Sequence, residues 1–528
     1  MSDFFITTSD LFTGLSDQER HDQDGIIRLQ EKRERKLLQA IRKHNIAKVN
    51  ALLADGVPPD GSSERAPLQL AVQLGRREIM QLLIQYNAQS PSNPGPDSDD
   101  DELLTAAGRG RVDILKMLMD YRKKLGYKGT AWPSHQGDEP IHRAASWGNL
   151  ECLKLLVQEG ATINLENSHW QTPLHLAASL PTGVKNGLPV LRFLLASGAN
   201  VNALTTTGNT PILMAARAGN EAAIEELLKS SPDLRQEGQF GETVLLVAAS
   251  HCSTRTVQML VAAGADIHFR TQFNASVLHL AAEAGKTKTF KWILDNSNLT
   301  INDLDCHNWT PLHYAACKNQ VIMAKYLLEN GADSSIASIP GDHTPLHLAA
   351  AYIDSHSHSP QQDDARDDPS LVEYLIQYGA DVMAPGDSIT LRFTEWIPKA
   401  SRTNKYAKSE GNTSRSNTIY PLHCAVVSGA IQRVKTLLSA GADIHARTAP
   451  EGKTALHLAA NNSLRKMVLF LIQSGLDYRL TDTEGHTMVH YLALAGLYEP
   501  VSVKEFLVAE NLYDPSMEAE LIRLGPVE

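Results

Sequence analysis

The sequence has little cysteine and uses it without pattern. Cys152, Cys252, Cys306, Cys317 and Cys424 are scattered and odd in number, and no Cys-x-x-Cys pair occurs. Neither a disulfide framework nor a zinc knuckle can be written from them. No run of about 18 apolar residues exists, so no membrane span is expected. The start, Met1-Ser2-Asp3-Phe4-Phe5, has no basic region ahead of an apolar core, so no signal peptide is expected. Positive charge is in the minority, and the net charge is −11 over 528 residues. That balance argues against a nucleic-acid surface covering the whole molecule, while a local basic patch stays open. The expectation is an intracellular protein, in the nucleus, the cytoplasm or both, with the sequons at Asn274, Asn298 and Asn412 as chance matches.

Catalytic spelling is missing as well. There is no Gly-x-x-x-x-Gly-Lys-Ser/Thr phosphate loop, no kinase motif set, no Gly-x-Ser-x-Gly elbow and no His-Glu-x-x-His. No cofactor or metal site is expected. His356-Ser357-His358 with nearby aspartates is the one stretch that could hold a metal, but such a loop lacks a fixed geometry and outer partners.

What the sequence has is repetition. Thr310-Pro311-Leu312-His313-Tyr314-Ala315-Ala316 returns as Thr344 to Ala350 and stands earlier as Thr172 to Ala178. With the leucine of Thr-Pro-Leu-His as origin, equivalent positions are Leu37, Leu68, Leu103, Ile141, Leu174, Ile212, Leu245, Leu278, Leu312, Leu346, Leu422, Leu456 and Val489. Most steps are 33 or 34 residues. The threonine suits a helix N-cap and the proline the first helical turn, where no amide proton is required. Leu312, Ala315 and Ala316 share an apolar face, and a turn follows, often with glycine, as at Gly148, Gly219, Gly285 and Gly429. A second helix carries a paired apolar site, as at Leu327-Leu328, and stops at a left-handed cap such as Gly198, Gly264, Gly331, Gly379 or Gly441. Asn87 takes that slot in the second unit. One such unit cannot close its own core, so neighbours must stack.

The spelling resembles the ankyrin repeat, and it resembles the large stand-alone ankyrin arrays of fungal regulatory proteins. The resemblance covers about residues 34–515. It implies an all-α repeat solenoid of stacked ankyrin repeats, each a helix-turn-helix plus a β-hairpin finger. Thirteen units are expected. Residues 1–33 form an N-terminal tail and leading helix, with the tail reading as unstructured to 24. Residues 34–128 hold degenerate repeats one to three, where Leu38, Gln69 and Leu104 replace the motif histidine. Residues 129–352 hold regular repeats four to nine and the start of ten, with a small insertion from Leu180 to Pro189. Residues 353–418 complete repeat ten with two long insertions, 353–369 and 385–418. The second insertion has six cations against three anions. Residues 419–515 hold repeats eleven to thirteen, and 516–528 hold a C-terminal capping helix.

The resemblance also implies roles. The motif histidine hydrogen-bonds within the turn network and ties repeats together, which accounts for eight of the 20 histidines: His142, His175, His279, His313, His347, His423, His457 and His490. The family's binding face is concave, built from finger tips and inner helices, and takes proteins. On the tips, Phe240, Phe273 and Trp309 occupy variable sites, and Trp170 stands where other fingers have glycine or asparagine. These four are the candidate partner-binding residues, set against the plainer role of packing on adjacent hairpins. Lys32, Arg33, Arg35 and Lys36 read as a solvated helix face, a nuclear import signal or a DNA-contacting helix; the Asn-x-x-Ala core and heptads of a basic zipper are absent. Ser98, followed by acids, is a candidate phosphorylation site in what is otherwise an acidic spacer.

The function expected is a non-catalytic protein–protein interaction scaffold or regulatory adaptor, with a transcription coregulator as its finer version. Two alternatives remain: a cytosolic adaptor presenting a client to another enzyme complex, and an enzyme with an unrecognised site. Direct nucleic-acid contact and membrane association are not expected.

Overall fold

A computed structural model describes residues 17–60, 67–86, 102–124, 137–181, 187–353, 367–387 and 418–494, together with Val508. Ser98, Asn87, His356, His358 and the expected capping helix lie outside the described residues. So do 388–417 of the basic insertion and 354–366 of the acidic one.

Helices pair as the periodicity dictates. The first unit has α1 (Asp17–Arg42) and α2 (Ile46–Ala54), then α3 (Pro67–Leu74) with α4 (Arg77–Gln85), and α5 (Glu102–Gly108) with α6 (Val112–Lys124). It continues through α7 (Pro140–Ser146), α8 (Leu150–Gln158), α9 (Pro173–Ala178), α10 (Gly187–Ala196), α11 (Pro211–Arg217) and α12 (Glu221–Leu228). This compact unit runs to Asp233, and a second begins at Leu234. The second unit holds α13 (Val244–His251), α14 (Thr254–Ala262), α15 (Val277–Glu283), α16 (Thr287–Asp295), α17 (Pro311–Cys317), α18 (Val321–Glu329), α19 (Pro345–Ala351) and α20 (Ser370–Gln377). After a two-residue ladder come α21 (Pro421–Val427), α22 (Ile431–Ser439), α23 (Ala455–Asn461), α24 (Arg465–Gln473) and α25 (Met488–Leu494). The fold is an all-α repeat solenoid.

The reason for stacking is visible at the origin residue. All thirteen origin side chains fall in the first helix of a pair and are buried to 3% exposure or less. First helices stack on first helices, α1 on α3 to α9 on α11 in one unit and α13 on α15 to α23 on α25 in the other. Each origin aliphatic is worth about 1.5–3 kcal/mol of burial, and that burial exists only when a neighbour is present.

Two boundaries differ from the expectation. The leading helix starts at Asp17 rather than near 25. The small insertion ends sooner, because Gly187 already starts α10 and Pro189 fits within its first turn.

The ends of both long insertions are fixed. Strand β1 (Gly386–Asp387) pairs antiparallel with β2 (Thr418–Ile419), Gly386 opposite Ile419. A β-carbon on Gly386 would lie 2.8 Å from His347 Nε2, so glycine permits the close approach. At the acidic insertion, Arg433 of α22 is 2% exposed. It donates to the Tyr352 carbonyl (2.6 Å) and the Asp368 carbonyl (3.4 Å), and lies 3.8 Å from the Asp367 carboxylate. One buried guanidinium therefore holds both ends of that segment.

Candidate binding surface

Among the described residues, fingers join successive helix pairs, tight turns closed by a backbone bond. The N–H of Asn167 reaches the Gln171 carbonyl, Thr271 reaches Ala275, and Asp305 reaches Trp309, each at 3.0–3.1 Å. Between the arms lies a residue in the left-handed region: Gly137, Gly208, Gly241, Asn274, Asn308, Gly452 and Gly485 all have φ between 57° and 84°. Successive fingers are joined by single N–H to carbonyl bonds, Cys306 to Phe273 (2.9 Å), Ile339 to His307 (2.8 Å), Asp387 to Gly341 (2.7 Å) and Thr483 to Glu451 (3.1 Å). The backbone is thereby occupied, and side chains are what the tips offer.

The motif histidine locks finger to helix. In His313, Nδ1 accepts the Thr310 N–H at 3.0 Å, so the ring proton sits on Nε2, which donates to the His343 carbonyl of the next finger at 3.2 Å. His175, His279, His423 and His457 repeat the arrangement toward Ala203, Trp309, Ala446 and His486. Burial pushes these imidazoles down, to about 4 at His175 and His423 and to about 3 at His313 and His347. They are held neutral, and His175, His313 and His423 act as structural donors. Burial also pushes the thiols of Cys152 and Cys424 up to about 12.

The four tip aromatics have different surroundings. Trp309 is 9% exposed, stacked on His313 (5.8 Å between centroids) and edge-on to Tyr314 (5.7 Å). Tyr314 in turn donates to Asp305, which also accepts the Trp309 N–H. Its ring is therefore part of the finger's own packing. Phe240 and Phe273 are half-buried, and Phe273 lies 6.3 Å from the His307 ring. Their fingers abut, because a β-carbon on Gly241 would sit 3.5 Å from the Gln272 nitrogen. Trp170 is 57% exposed with φ of 56°, a bulky side chain in the left-handed slot of its own finger. Lys32, Arg33, Arg35 and Lys36 are all exposed on α1, with Arg35 3.4 Å from Glu31.

Sequence reasoning passed over a second set of residues. At the eighth place after the origin, Asn149 donates to the Ala107 and Gly108 carbonyls, Asn220 to Ala178 and Leu180, Gln320 to Glu283, and Arg111 to Gln73. These side chains reach back one repeat and staple the turn edge, opposite the fingers. Their signal is a long or amide side chain directly after the turn glycine.

A family model for ankyrin repeats in three copies matches residues 103–183, 182–271, 245–338, 278–386, 400–482 and 422–514. The chain belongs to the ankyrin-repeat family. Human protein phosphatase 1 regulatory subunit 27 is 40% identical over 115 residues, 22% of this chain and 71% of that protein. The Gallus gallus nuclear factor NF-kappa-B p105 subunit is 29% identical over 209 residues, 39% of this chain and 17% of that protein. Palmitoyltransferase AKR1 of Lachancea kluyveri is 28% identical over 179 residues, 32% of this chain and 22% of that enzyme. The chain spans less than a quarter of the length of the last two relatives. The enzyme's name therefore says nothing about chemistry in this chain, and what these ankyrin repeats have in common with it is an interaction module. No group of side chains able to hold a metal ion, and no helix long and apolar enough to cross a membrane, occurs among the described residues.

Proposed function

We propose that this ankyrin-repeat chain is a non-catalytic scaffold or regulatory adaptor that takes a protein segment on its concave face. The observation that supports this reading is the pair of adjoining fingers carrying Phe240 and Phe273. Their backbones are tied into hydrogen bonds, yet both rings stay half-exposed. Aromatic side chains held rigidly and left partly in water lose little entropy on binding and are enriched at hot spots. Trp309 contributes through the finger it braces. Trp170 offers a separate exposed ring in the first unit.

The test is affinity capture from native extract, with wild type beside the double variant Phe240→Ala, Phe273→Ala. At least a tenfold loss of a specific set of proteins is expected, with thermal stability close to wild type. Equal capture by both proteins removes the tips of these two fingers from the binding face.

The exposure of Lys32, Arg33, Arg35 and Lys36 on one helix supports the finer reading of a transcription coregulator that enters the nucleus. A fluorescent fusion should lose nuclear signal when all four become alanine. Cytoplasmic residence of the wild type under every growth condition refutes that version and leaves the adaptor.

A further inference from the structure

The first four repeats share one turn geometry at the end of the inner helix. In each, the ninth residue's predecessor in the turn is left-handed: His44 (φ 52°), Gly75 (68°), Gly110 (69°) and Gly148 (71°). In each, the same two backbone bonds close the turn, as His44 to Ile41 with Asn45 to Ala40, and Gly148 to Ala145 with Asn149 to Ala144. The residue just before the left-handed one therefore projects in the same way from every repeat. Those residues are Lys43, Leu74, Arg109 and Trp147, and all four are exposed, Leu74 at 38% and Trp147 at 62%. They stand in order along one edge. A β-carbon on Gly108, beside Arg109, would sit 3.6 Å from the Trp147 ring. In the fifth repeat the same position holds Leu180, which is buried, so the row ends there.

The row alternates cation, apolar, cation, apolar. Arg42 and Arg77 are exposed beside it and add charge of the same sign, while Glu78, Asp113 and Glu151 are exposed anions at these turns, Glu151 being paired with Lys154. Packed helices lie about 8–10 Å apart, and an extended chain advances about 3.3 Å per residue, so one repeat matches about three residues of an extended ligand. We propose that this edge binds an extended acidic protein segment in which an acid and an apolar residue alternate every third position. Opposite charge selects the acids at Lys43 and Arg109, and Leu74 and Trp147 take the apolar side chains between and beyond them. A nucleic-acid backbone fits less well, because its phosphates are evenly charged and would meet aliphatic Leu74 in the middle of the row, with Glu78 and Asp113 at its side. The surface is separate from the finger tips, so its failure and theirs can be told apart.

The test uses the full chain and a fluorescent ten-residue peptide, Asp-Ser-Gly-Leu-Ser-Gly-Asp-Ser-Gly-Phe, read by anisotropy. A scrambled peptide of the same composition with its two acids adjacent serves as control. The reversed order of the same peptide is included, since the edge can be read in either direction. Binding of one order at least fivefold tighter than the scramble is expected. Lys43→Glu with Arg109→Glu should weaken it at least tenfold, and Trp147→Ala at least threefold. Lys116→Glu with Lys154→Glu, off the row, should leave it within twofold, and far-ultraviolet spectra should stay superimposable. Equal binding of peptide and scramble, no binding of either order, or displacement by a single-stranded DNA oligonucleotide at a lower concentration than by unlabelled peptide would each overturn the proposal.

Discussion

Repeats eight and nine differ from repeats one to three at the residue after the origin, although their helix pairs are alike. In repeats eight and nine, His279 and His313 each bond the N-cap behind them and the next finger ahead. In repeats one to three the same position is Leu38, Gln69 and Leu104, none of which carries an imidazole. Yet Leu37, Leu68 and Leu103 are as deeply buried as Leu278 and Leu312. Core closure thus follows the origin aliphatic in both regions, and the histidine adds a bond from helix to finger where it occurs. Both regions share the staple at the opposite edge, where Arg111 fills the space above Gly75 and donates to Gln73, and Gln320 fills the space above Gly285 and donates to Glu283. The turn edge is thus fastened alike in both, and the residue after the origin is where they part.

Acid should separate the two regions most strongly. A buried histidine whose folded pKa lies below its unfolded value near 6.5 leaves the unfolded chain to bind the proton first. Its contribution is complete above pH 6.5 and is lost as pH falls. With His313, His347 and His423 at about 3, 3 and 4, the second unit should lose about 4 kcal/mol per pH unit near pH 5. Urea midpoints at pH 7.5, 6.0 and 5.0 measure this, and a flat profile breaks the comparison. Hydrogen exchange in α3 and α5, which contain no histidine, should change far less over the same range.

A pair of substitutions sharpens it at neutral pH. His313→Ala removes two buried bonds and leaves a void, and should cost about 3–5 kcal/mol by chemical denaturation. Leu38→Ala, half-buried at the matching place, should cost about 1 kcal/mol. Equal costs would mean that the histidine is no lock. The smallest effect has the opposite sign. Trp170→Gly relieves a left-handed aromatic and should raise stability by about 1 kcal/mol. A loss of stability would show that the indole is bracing its finger rather than waiting for a partner.

Much of the architecture was legible because it rests on spacing. Each origin residue, the turn glycines Gly148, Gly219, Gly285 and Gly429 and the glycine-or-asparagine slot of the finger follow from the repeat alone. The side-chain environments were less legible. Trp309 follows the left-handed residue of its finger and Phe273 precedes that of its own, and Trp309 has Tyr314 and His313 beneath it. Repeat eight has Leu280 where repeat nine has Tyr314, and no ring there engages Phe273. The role of Arg433 was invisible for another reason, since it meets Tyr352 and Asp367 only through folding, across 81 and 66 residues.

The β1–β2 ladder has a practical corollary. The chain departs at Asp387 and resumes at Thr418, paired across a single strand spacing. For a polymer chain whose two ends are held so, doubling its length raises the entropic cost of closure by only about 0.6 kcal/mol. The ladder is therefore a natural port for engineering. A reporter or recognition peptide spliced between those two residues would enter and leave the fold at one strand pair, where Gly386 meets Ile419.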